Sequence, residues 1–163
     1  MMKAITIWNP WASLIAIGVK PHETRSWATN YRGQIAIHAA QKDVHKIMRE
    51  LPHDVLVAMY DNLYKGYGIK SGALSRLADE QGHIIATAML AECWQVIEHT
   101  PTAIILRQSN GIGVDKIPID APYLMFGDYS VGRYIWGLAN VCKLPEPIPA
   151  KGMQGLWTWE GEQ

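Results

Sequence analysis

The apolar residues of this chain fall into short runs, many rich in β-branched residues and separated by turn-forming residues. Such runs are typical of strands, and we place strands at residues 3–8, 23–27, 34–39, 83–94, 134–141 and 156–159. The 14 glycines and 9 prolines among 163 residues fit many turns and short strands. Hydrophobic residues make up 48% of the chain, which is enough for a chain of this length to form the buried core of one domain.

Short helices are predicted between these strands. The apolar run Trp11–Ile17 follows Asn9 and Pro10, which favour a helix start, and ends at Gly18, which favours a helix stop. Helical spacing also marks residues 42–50, and Asp54 is a candidate cap for the helix after them. Three further predictions complete this outline: an extended, irregular link at prolines 145, 147 and 149, a glycine-rich insertion or mobile loop at 66–82, and a short helix at 73–77.

Strands and helices that are interspersed, without regular alternation, predict an α+β fold. We expect one domain over residues 1–163, built as a small mixed β-barrel of about six strands with short helices. A helical or loop insertion is expected at residues 52–82. A parallel βαβ architecture is disfavoured, because no helix follows the strands that end at Trp27 and Val141.

The charge balance limits the kind of partner. Fifteen basic and fifteen acidic residues give a net charge of zero, which disfavours an extended groove for duplex nucleic acid but allows a pocket for one nucleotide. Cys93 and Cys142 form no CxxC unit and are interpreted as buried thiols of a reduced protein. With no apolar run suited to a signal peptide or a membrane span, we expect a cytoplasmic protein that does not bind membranes.

Several common catalytic and cofactor motifs are absent from the sequence. It contains no dinucleotide-binding or phosphate-binding glycine motif, no HExxH and no GxSxG. The six histidines show no metal-ligand spacing with each other or with cysteine. We therefore expect neither a metal nor a cofactor.

The segment from Lys20 to Trp27 is the main candidate site. On a strand, Glu23, Arg25 and Trp27 share one face, and Lys20 can turn toward it. The cations suit phosphate or carbonyl oxygens, the carboxylate suits an amino group or a proton, and the indole can stack on a base. On spacing alone, a Glu23–Arg25 ion pair on the sheet surface with Trp27 in the core is the favoured interpretation.

The pattern GxKxxExRxW starts at Gly18. Through this pattern, which is the most specific part, most of the chain resembles ASCH-domain proteins. The matching segments are residues 8–15, 18–20, 23–27, 31–33, 35–39, 126–136 and 151–157. The resemblance leaves out residues from about 52 to 82 and from about 100 to 121.

The resemblance implies a PUA-like fold: a small β-barrel with helices at its rim and a cleft beside the first helix. It also implies binding of RNA, single-stranded nucleic acid or a modified nucleoside. Lys151 and Gln154 are placed near the cleft by the same resemblance, whereas His38 is interpreted as a core or rim histidine in preference to a general base. The expected ligand-binding residues are Lys20, Glu23, Arg25, Trp27, Arg32, Asp128, Tyr129 and Arg133, with a turn salt bridge as the alternative role of Arg32.

Some ASCH proteins are amidohydrolases that remove the acetyl group of N4-acetylcytidine, and they share a Lys-x-x-Thr-x-Arg pattern with a threonine nucleophile. Lys20 and Arg25 match this pattern, but the threonine position holds Glu23. Thr24, the next residue, is expected on the opposite face of the strand. Glu92 is a candidate for the distant glutamate of that site.

The leading hypothesis is therefore an RNA- or nucleotide-binding domain whose cleft accepts an exposed base. The first alternative is a hydrolase in the same cleft, an amidohydrolase or a ribonuclease, with Lys20 and Glu23 as the catalytic pair and water activated by Glu23. The second alternative is a protein-interaction module in which residues 52–82 dock a partner.

Overall fold

The computed structural model describes residues 1–68 and 72–161 and has a mixed α+β fold, as predicted. The strands are β1 Met2–Ile7, β2 His22–Arg25, β3 Gly33–Ala39, β4 His83–His99, β5 Ala103–Gln108, β6 Val114–Pro118, β7 Tyr134–Pro149 and β8 Leu156–Trp159. The helices are α1 Trp11–Ala16, α2 Val44–Glu50, α3 His53–Tyr67 and α4 Ala73–Asp79, with a 3₁₀-helix at Pro122–Phe126. No helix in the described part of the chain is long and apolar enough to cross a membrane.

The strands form one eight-stranded mixed sheet in the order β2-β7-β4-β3-β1-β8, with β5 paired to β4 and β6 paired to β5. β1 and β3 run parallel, whereas β8 pairs with β1, and β2 with β7, in antiparallel fashion. The sequence predicted about six strands closed into a barrel. Within residues 1–68 and 72–161, eight strands are present, and no pairing of β2 with β8 closes the sheet.

The residues cluster into two compact units, described separately below. The first contains Met1–Val19, Gln34–Ala88 and Asn140–Gln163, apart from the residues outside the described ranges. It holds β1, β3, β8, the four α-helices, the beginning of β4 and most of β7. One of its core clusters joins β1, β3, β4 and β8 through the buried residues Met2, Ala4, Ala36, Ile84, Trp157 and Trp159.

The short helix α1 begins and ends nearly where the sequence predicts. The side chain of Asn9 accepts the Ser13 amide at 3.1 Å, and Gly18 leaves the helix with a φ of 77°. The prediction that Asp54 caps the next helix is wrong: α3 is preceded by Pro52, and Asp54 lies in its first turn. Pro52 precedes the first helical residue, so the helix begins two residues earlier than it would with an Asp54 cap.

The segment 52–82 is largely helical where it is described. α3 continues to Tyr67, so the loop predicted from residue 66 begins too early; residues 69–71 lie outside the described residues. The predicted short helix is α4, whose Leu77 is fully buried. Gly66 packs closely against Ile17. A side chain at this position would clash, since its Cβ would be 2.5 Å from the Ile17 Cδ1 atom.

A buried carboxylate connects these helices. The Glu80 side chain, which has no solvent exposure, accepts the Ser13 hydroxyl at 2.5 Å and the Tyr67 hydroxyl at 2.8 Å. The Arg76 guanidinium lies 3.4 Å from the same carboxylate. Desolvation, followed by the charge of Glu80, raises the pKa of Tyr67, so its hydroxyl keeps the proton that it donates.

The second unit contains Lys20–Gly33 and Met89–Ala139. It holds β2, β5, β6, the end of β4 and the start of β7. A buried cluster of Val96, Ile104, Leu106, Ile117, Tyr129 and Ile135 forms a core there. β5 and β6 were not predicted, because only one residue of β6 is buried and its sequence lacks an alternating pattern.

Two local predictions are wrong for identifiable reasons. β7 continues to Pro149, where an irregular link was expected. Proline has no N–H group, and prolines at alternate positions remove donors from only one edge of the strand. The other edge can therefore still pair. Both cysteines are free thiols, and Cys93 is buried as predicted, but Cys142 is exposed.

Candidate functional site

Two of the predicted site residues, Glu23 and Arg25, lie on β2, a four-residue strand in the second unit. β2 ends at Arg25, so the strand predicted to continue to Trp27 is two residues too long. In the antiparallel register, Glu23 lies opposite Trp136 and His22 lies opposite Gly137. Directly opposed residues point to the same face of a sheet, so Glu23, Arg25 and Trp136 share one face, which we call the Glu23 face.

On the Glu23 face, one carboxylate lies between two cations. The Lys20 ammonium is 2.9 Å from Oε2 of Glu23, and the Arg25 Nε is 3.0 Å from Oε1. Lys20 also donates to the backbone carbonyl of His22. The sequence prediction that Lys20, Glu23 and Arg25 lie together is therefore confirmed as geometry.

The three charged groups differ in their access to solvent. Lys20 is 2% exposed and Glu23 is 8% exposed, whereas 25% of the Arg25 side chain is exposed. A buried ammonium is tolerated only when it is paired and hydrogen-bonded, as it is here. Arg25 is therefore the most accessible of the three groups, whereas Lys20 holds the Glu23 carboxylate from the buried side.

Trp27 follows the strand and remains half-buried. Its ring packs edge-to-face with Trp136 at a centroid distance of 4.6 Å, and the Trp136 indole N–H donates to the Trp27 carbonyl at 3.3 Å. Trp136 has no exposure, while Trp27 is 37% exposed. The placement of Trp27 in the core, which spacing alone favoured, is therefore wrong: a buried indole anchors it and leaves part of its ring to solvent.

The opposite face of β2 carries His22 and Thr24. The His22 Nδ1 lies 3.4 Å from the Tyr129 hydroxyl, and the Tyr123 ring packs edge-on at 5.2 Å. Burial, followed by the charge of Lys20, lowers the pKa of His22 to about 4, while the charge of Glu92 opposes both effects. His22 is therefore neutral at pH 7.

Glu92, the candidate for a distant glutamate, lies near His22. A Cβ at Gly137 would be 3.3 Å from the Glu92 Cβ, so the missing side chain makes room for this residue. The Glu92 carboxylate accepts the Trp94 indole N–H at 2.8 Å.

The sequence analysis assigned no role to His22. Its position between Lys20 and Glu23 in the motif was the one feature that could have indicated a place at this site.

The loop after the 3₁₀-helix packs beside Thr24. The Thr24 hydroxyl accepts the Asp128 amide at 3.1 Å, as expected if Thr24 faces away from Glu23. Asp128 pairs with Arg133 at 3.1 Å, and its hydrogen bonds from Ser130 lower the pKa of the Asp128 carboxyl. Tyr129, predicted as a ligand residue, is 6% exposed and belongs to the hydrophobic core.

Arg32 has an exposed side chain that folds back on its own loop. Its Nη1 donates to the carbonyls of Thr29 at 2.9 Å and Tyr31 at 2.8 Å. These bonds hold the loop between β2 and β3. The position of Arg32 at a cleft mouth stays a prediction.

The Glu23 carboxylate is held by contacts on both oxygens. Each oxygen already contacts a cation, and the remaining lone pairs can accept further hydrogen bonds. Among residues 1–68 and 72–161, no three His, Cys, Asp or Glu side chains form a group that could hold a metal ion.

A protein-family model matches most of the chain. The model of the ASCH domain family matches residues 5–144. No curated protein matches the sequence. The matched range includes β2, the Glu23 face and the loop beside Thr24.

Proposed function

Because the chain belongs to the ASCH domain family, we propose that it binds single-stranded RNA or a nucleotide through the Glu23 face. ASCH domains are PUA-like domains generally linked to RNA binding. The observation that carries the proposal is a carboxylate paired with two cations beside a partly exposed indole. This combination offers a stacking surface, a cation and a hydrogen-bond acceptor, the groups that recognise an unstacked base.

Each group has a distinct role in this proposal. The exposed part of the Trp27 ring stacks on a base, and the Arg25 guanidinium donates to a phosphate or a base carbonyl. The Glu23 carboxylate accepts an exocyclic amino group. Lys20 is a positioning residue, because it orients Glu23 without reaching solvent.

The hydrolase alternative, an amidohydrolase or a ribonuclease, has weaker support. Its catalytic pair would be Lys20 and Glu23, yet both oxygens of Glu23 are already paired with cations and Lys20 is buried. The Thr24 hydroxyl accepts a backbone amide of the neighbouring loop. The interaction-module alternative depends on residues 52–82, whose described helices are held together by the Glu80 carboxylate.

Stacking on Trp27 is tested by fluorescence anisotropy with a labelled octacytidine. Trp27→Ala is expected to weaken binding about tenfold or more, since a stacked base contributes about 1–3 kcal/mol. Trp27→Phe keeps a ring and is expected to retain most of the affinity. Equal affinity of Trp27→Ala and the unaltered protein would refute the stacking role.

The role of the Arg25 cation is tested against a matched substitution. Arg25→Ala is expected to weaken binding about tenfold, because hydrogen bonds to charged groups are worth about 1.5–3 kcal/mol. Arg107→Ala removes an exposed arginine of β5 in the same unit and is expected to change little. Similar losses from both substitutions would indicate a general charge effect without a site at Arg25.

Turnover separates the binding proposal from the hydrolase alternative. The protein is incubated with N4-acetylcytidine and, separately, with the octacytidine, and products are followed by chromatography. We expect no product. Product formation that disappears in Glu23→Gln would overturn the binding proposal in favour of hydrolysis.

A further inference from the structure

The first unit contains a cavity of about 520 Å³. Its lining residues all belong to this unit and include Lys151 and Gln154, which the resemblance placed near the cleft, but none of the eight expected ligand-binding residues. A volume in the range of about 300–1,000 Å³ is typical of small-molecule sites. The residues that carry the argument are Thr6, Trp8, His38, Lys42, Lys151 and Gly152.

The parallel pairing of β1 and β3 builds one wall of this cavity. Thr6 and His38 are register partners near the ends of the two strands. Trp8 follows β1 directly, and Lys42 follows β3. In sheets with parallel strands, the carboxyl ends of the strands leave a crevice where ligands commonly bind.

His38 presents an unused acceptor at this wall. The side chain is 2% exposed, and its Nε2 lies 3.0 Å from the Ala150 carbonyl. A carbonyl only accepts, so Nε2 carries the proton and Nδ1 of the neutral ring is an acceptor. In the part of the chain that the structure describes, this buried Nδ1 has no hydrogen-bond partner.

Gly152 lies directly against the Nδ1 edge of His38. A Cβ at residue 152 would lie 2.6 Å from the His38 Nδ1 and 2.9 Å from the Thr6 hydroxyl. Any other residue would therefore fill the space in front of this acceptor. Desolvation lowers the pKa of His38, which keeps its ring neutral at pH 7.

The cavity wall is positively charged and carries an aromatic ring. Lys42 and Lys151 are exposed, and the lining includes no Asp or Glu. The Lys42 ammonium lies 5.3 Å from the centre of the Trp8 ring, which is 50% exposed. A ligand at this wall meets a flat apolar surface and two cations.

We propose that this cavity binds a free nucleoside 5′-monophosphate. The base stacks on Trp8 and donates an amino N–H to the His38 Nδ1, while Lys42 and Lys151 hold the phosphate. A phosphate monoester carries a charge of about −1.5 to −2 at pH 7, which two lysines balance. This site is additional to the Glu23 face and involves different residues.

Calorimetry with adenosine 5′-monophosphate tests the proposal, with adenosine and ribose 5-phosphate as its two fragments. We expect the nucleotide to bind at least about tenfold more tightly than either fragment, since it engages both the ring and the lysines. Binding of inorganic phosphate or ribose 5-phosphate as tight as that of the nucleotide would overturn the proposal.

Substitutions at exposed positions locate the binding. Lys42→Ala and Lys151→Ala are each expected to weaken nucleotide binding about tenfold and to leave adenosine binding unchanged. Trp8→Ala is expected to weaken binding of the nucleotide and adenosine but not of ribose 5-phosphate. Lys46→Ala removes another exposed lysine, outside the cavity lining, and serves as the control.

Three results would refute the site. The first is no nucleotide binding at millimolar concentration. The second is an equal loss of binding in Lys46→Ala and Lys42→Ala, measured on variants whose thermal unfolding matches that of the unaltered protein. The third is binding of a 5′-phosphorylated trinucleotide without binding of the free mononucleotide, which would make the ligand an RNA end.

Discussion

Lys20 is a long cationic side chain with almost no exposure, and the Glu23 carboxylate at 2.9 Å compensates for its burial. Strand alternation allowed the sequence to predict that Glu23 and Arg25 share a face. The burial of Lys20 was not predictable in this way, because it depends on residues distant in sequence, such as Trp136, which lies opposite Glu23. The same tertiary packing places Tyr129 in the core.

A double-mutant cycle measures the buried pair. Lys20→Met is expected to lower the free energy of unfolding by about 3 kcal/mol, because it leaves Glu23 with one cation fewer in a largely buried position. Glu23→Gln is expected to lower it to a similar extent. The double substitution is expected to cost less than the sum of the two single ones, as measured by urea unfolding.

An exposed pair in the same chain is the control for this cycle. Lys65 and Asp61 on α3 are 2.6 Å apart, but 73% and 60% of their side chains are exposed. Lys65→Met and Asp61→Asn are expected to change the free energy of unfolding by no more than about 0.5 kcal/mol each. Equal coupling energies for the two pairs would contradict the role assigned to burial.

His22 makes stability depend on pH. Its pKa in the folded state is about 4, against 6.5 for an unperturbed histidine. Between these values the unfolded chain binds more protons, so stability is fully present above pH 6.5 and falls as the pH drops toward 4. The expected loss from this residue is up to about 3 kcal/mol.

Two measurements check the pH effect. An NMR titration of the His22 ring is expected to give a pKa near 4, and His22→Gln is expected to flatten the decline in the free energy of unfolding between pH 6.5 and 4. His38, whose pKa is also lowered, contributes a decline of the same sign that remains in this variant. A His22 pKa near 6.5 would contradict the burial argument.

At the level of elements, Glu80 links α1, α3 and the end of α4. It accepts hydrogen bonds from Ser13 of α1 and Tyr67 of α3, with the Arg76 guanidinium of α4 at 3.4 Å. Lys143 lies 3.5 Å from the centre of the Tyr67 ring and adds a cation–π contact. These polar contacts join the helices in addition to the buried apolar side chains of Met59, Leu63 and Leu77.

The link through Tyr67 is tested by removing one hydroxyl group. Tyr67→Phe is expected to lower the free energy of unfolding by about 1–3 kcal/mol, because the buried Glu80 carboxylate loses a donor. Tyr64→Phe on the same helix is the control, since Tyr64 is 37% exposed. Its expected effect is within about 0.5 kcal/mol. Equal effects would contradict the role of Glu80 as the connection between helices.

Element predictions succeeded where the pattern was local. β3, β8 and α1 were located closely, because a β-branched or apolar run with flanking turn residues is sufficient evidence for them. β5 and β6 were missed because their pairing with each other, not their own periodicity, makes them strands. The closed barrel was inferred from strand count, which does not specify which edges pair.

For the whole molecule, the neutral charge balance and the local charge clusters have different consequences. A chain with 15 acidic and 15 basic residues has no net field to attract a long polyanion. Four of the 15 cations lie at two small sites: Lys20 and Arg25 beside Glu23, and Lys42 and Lys151 at the cavity of the first unit.

In the proposed complex, the Glu23 carboxylate accepts a hydrogen bond from the amino group of an exposed base. Cytosine presents an amino donor where uracil presents a carbonyl acceptor, and such a difference is worth about 1–3 kcal/mol at a specific site. The direct measurement is the affinity of the protein for octacytidine against octauridine. The account predicts that octacytidine binds about tenfold more tightly and that Glu23→Gln largely removes the difference. Equal affinity for the two oligonucleotides in the unaltered protein would contradict it.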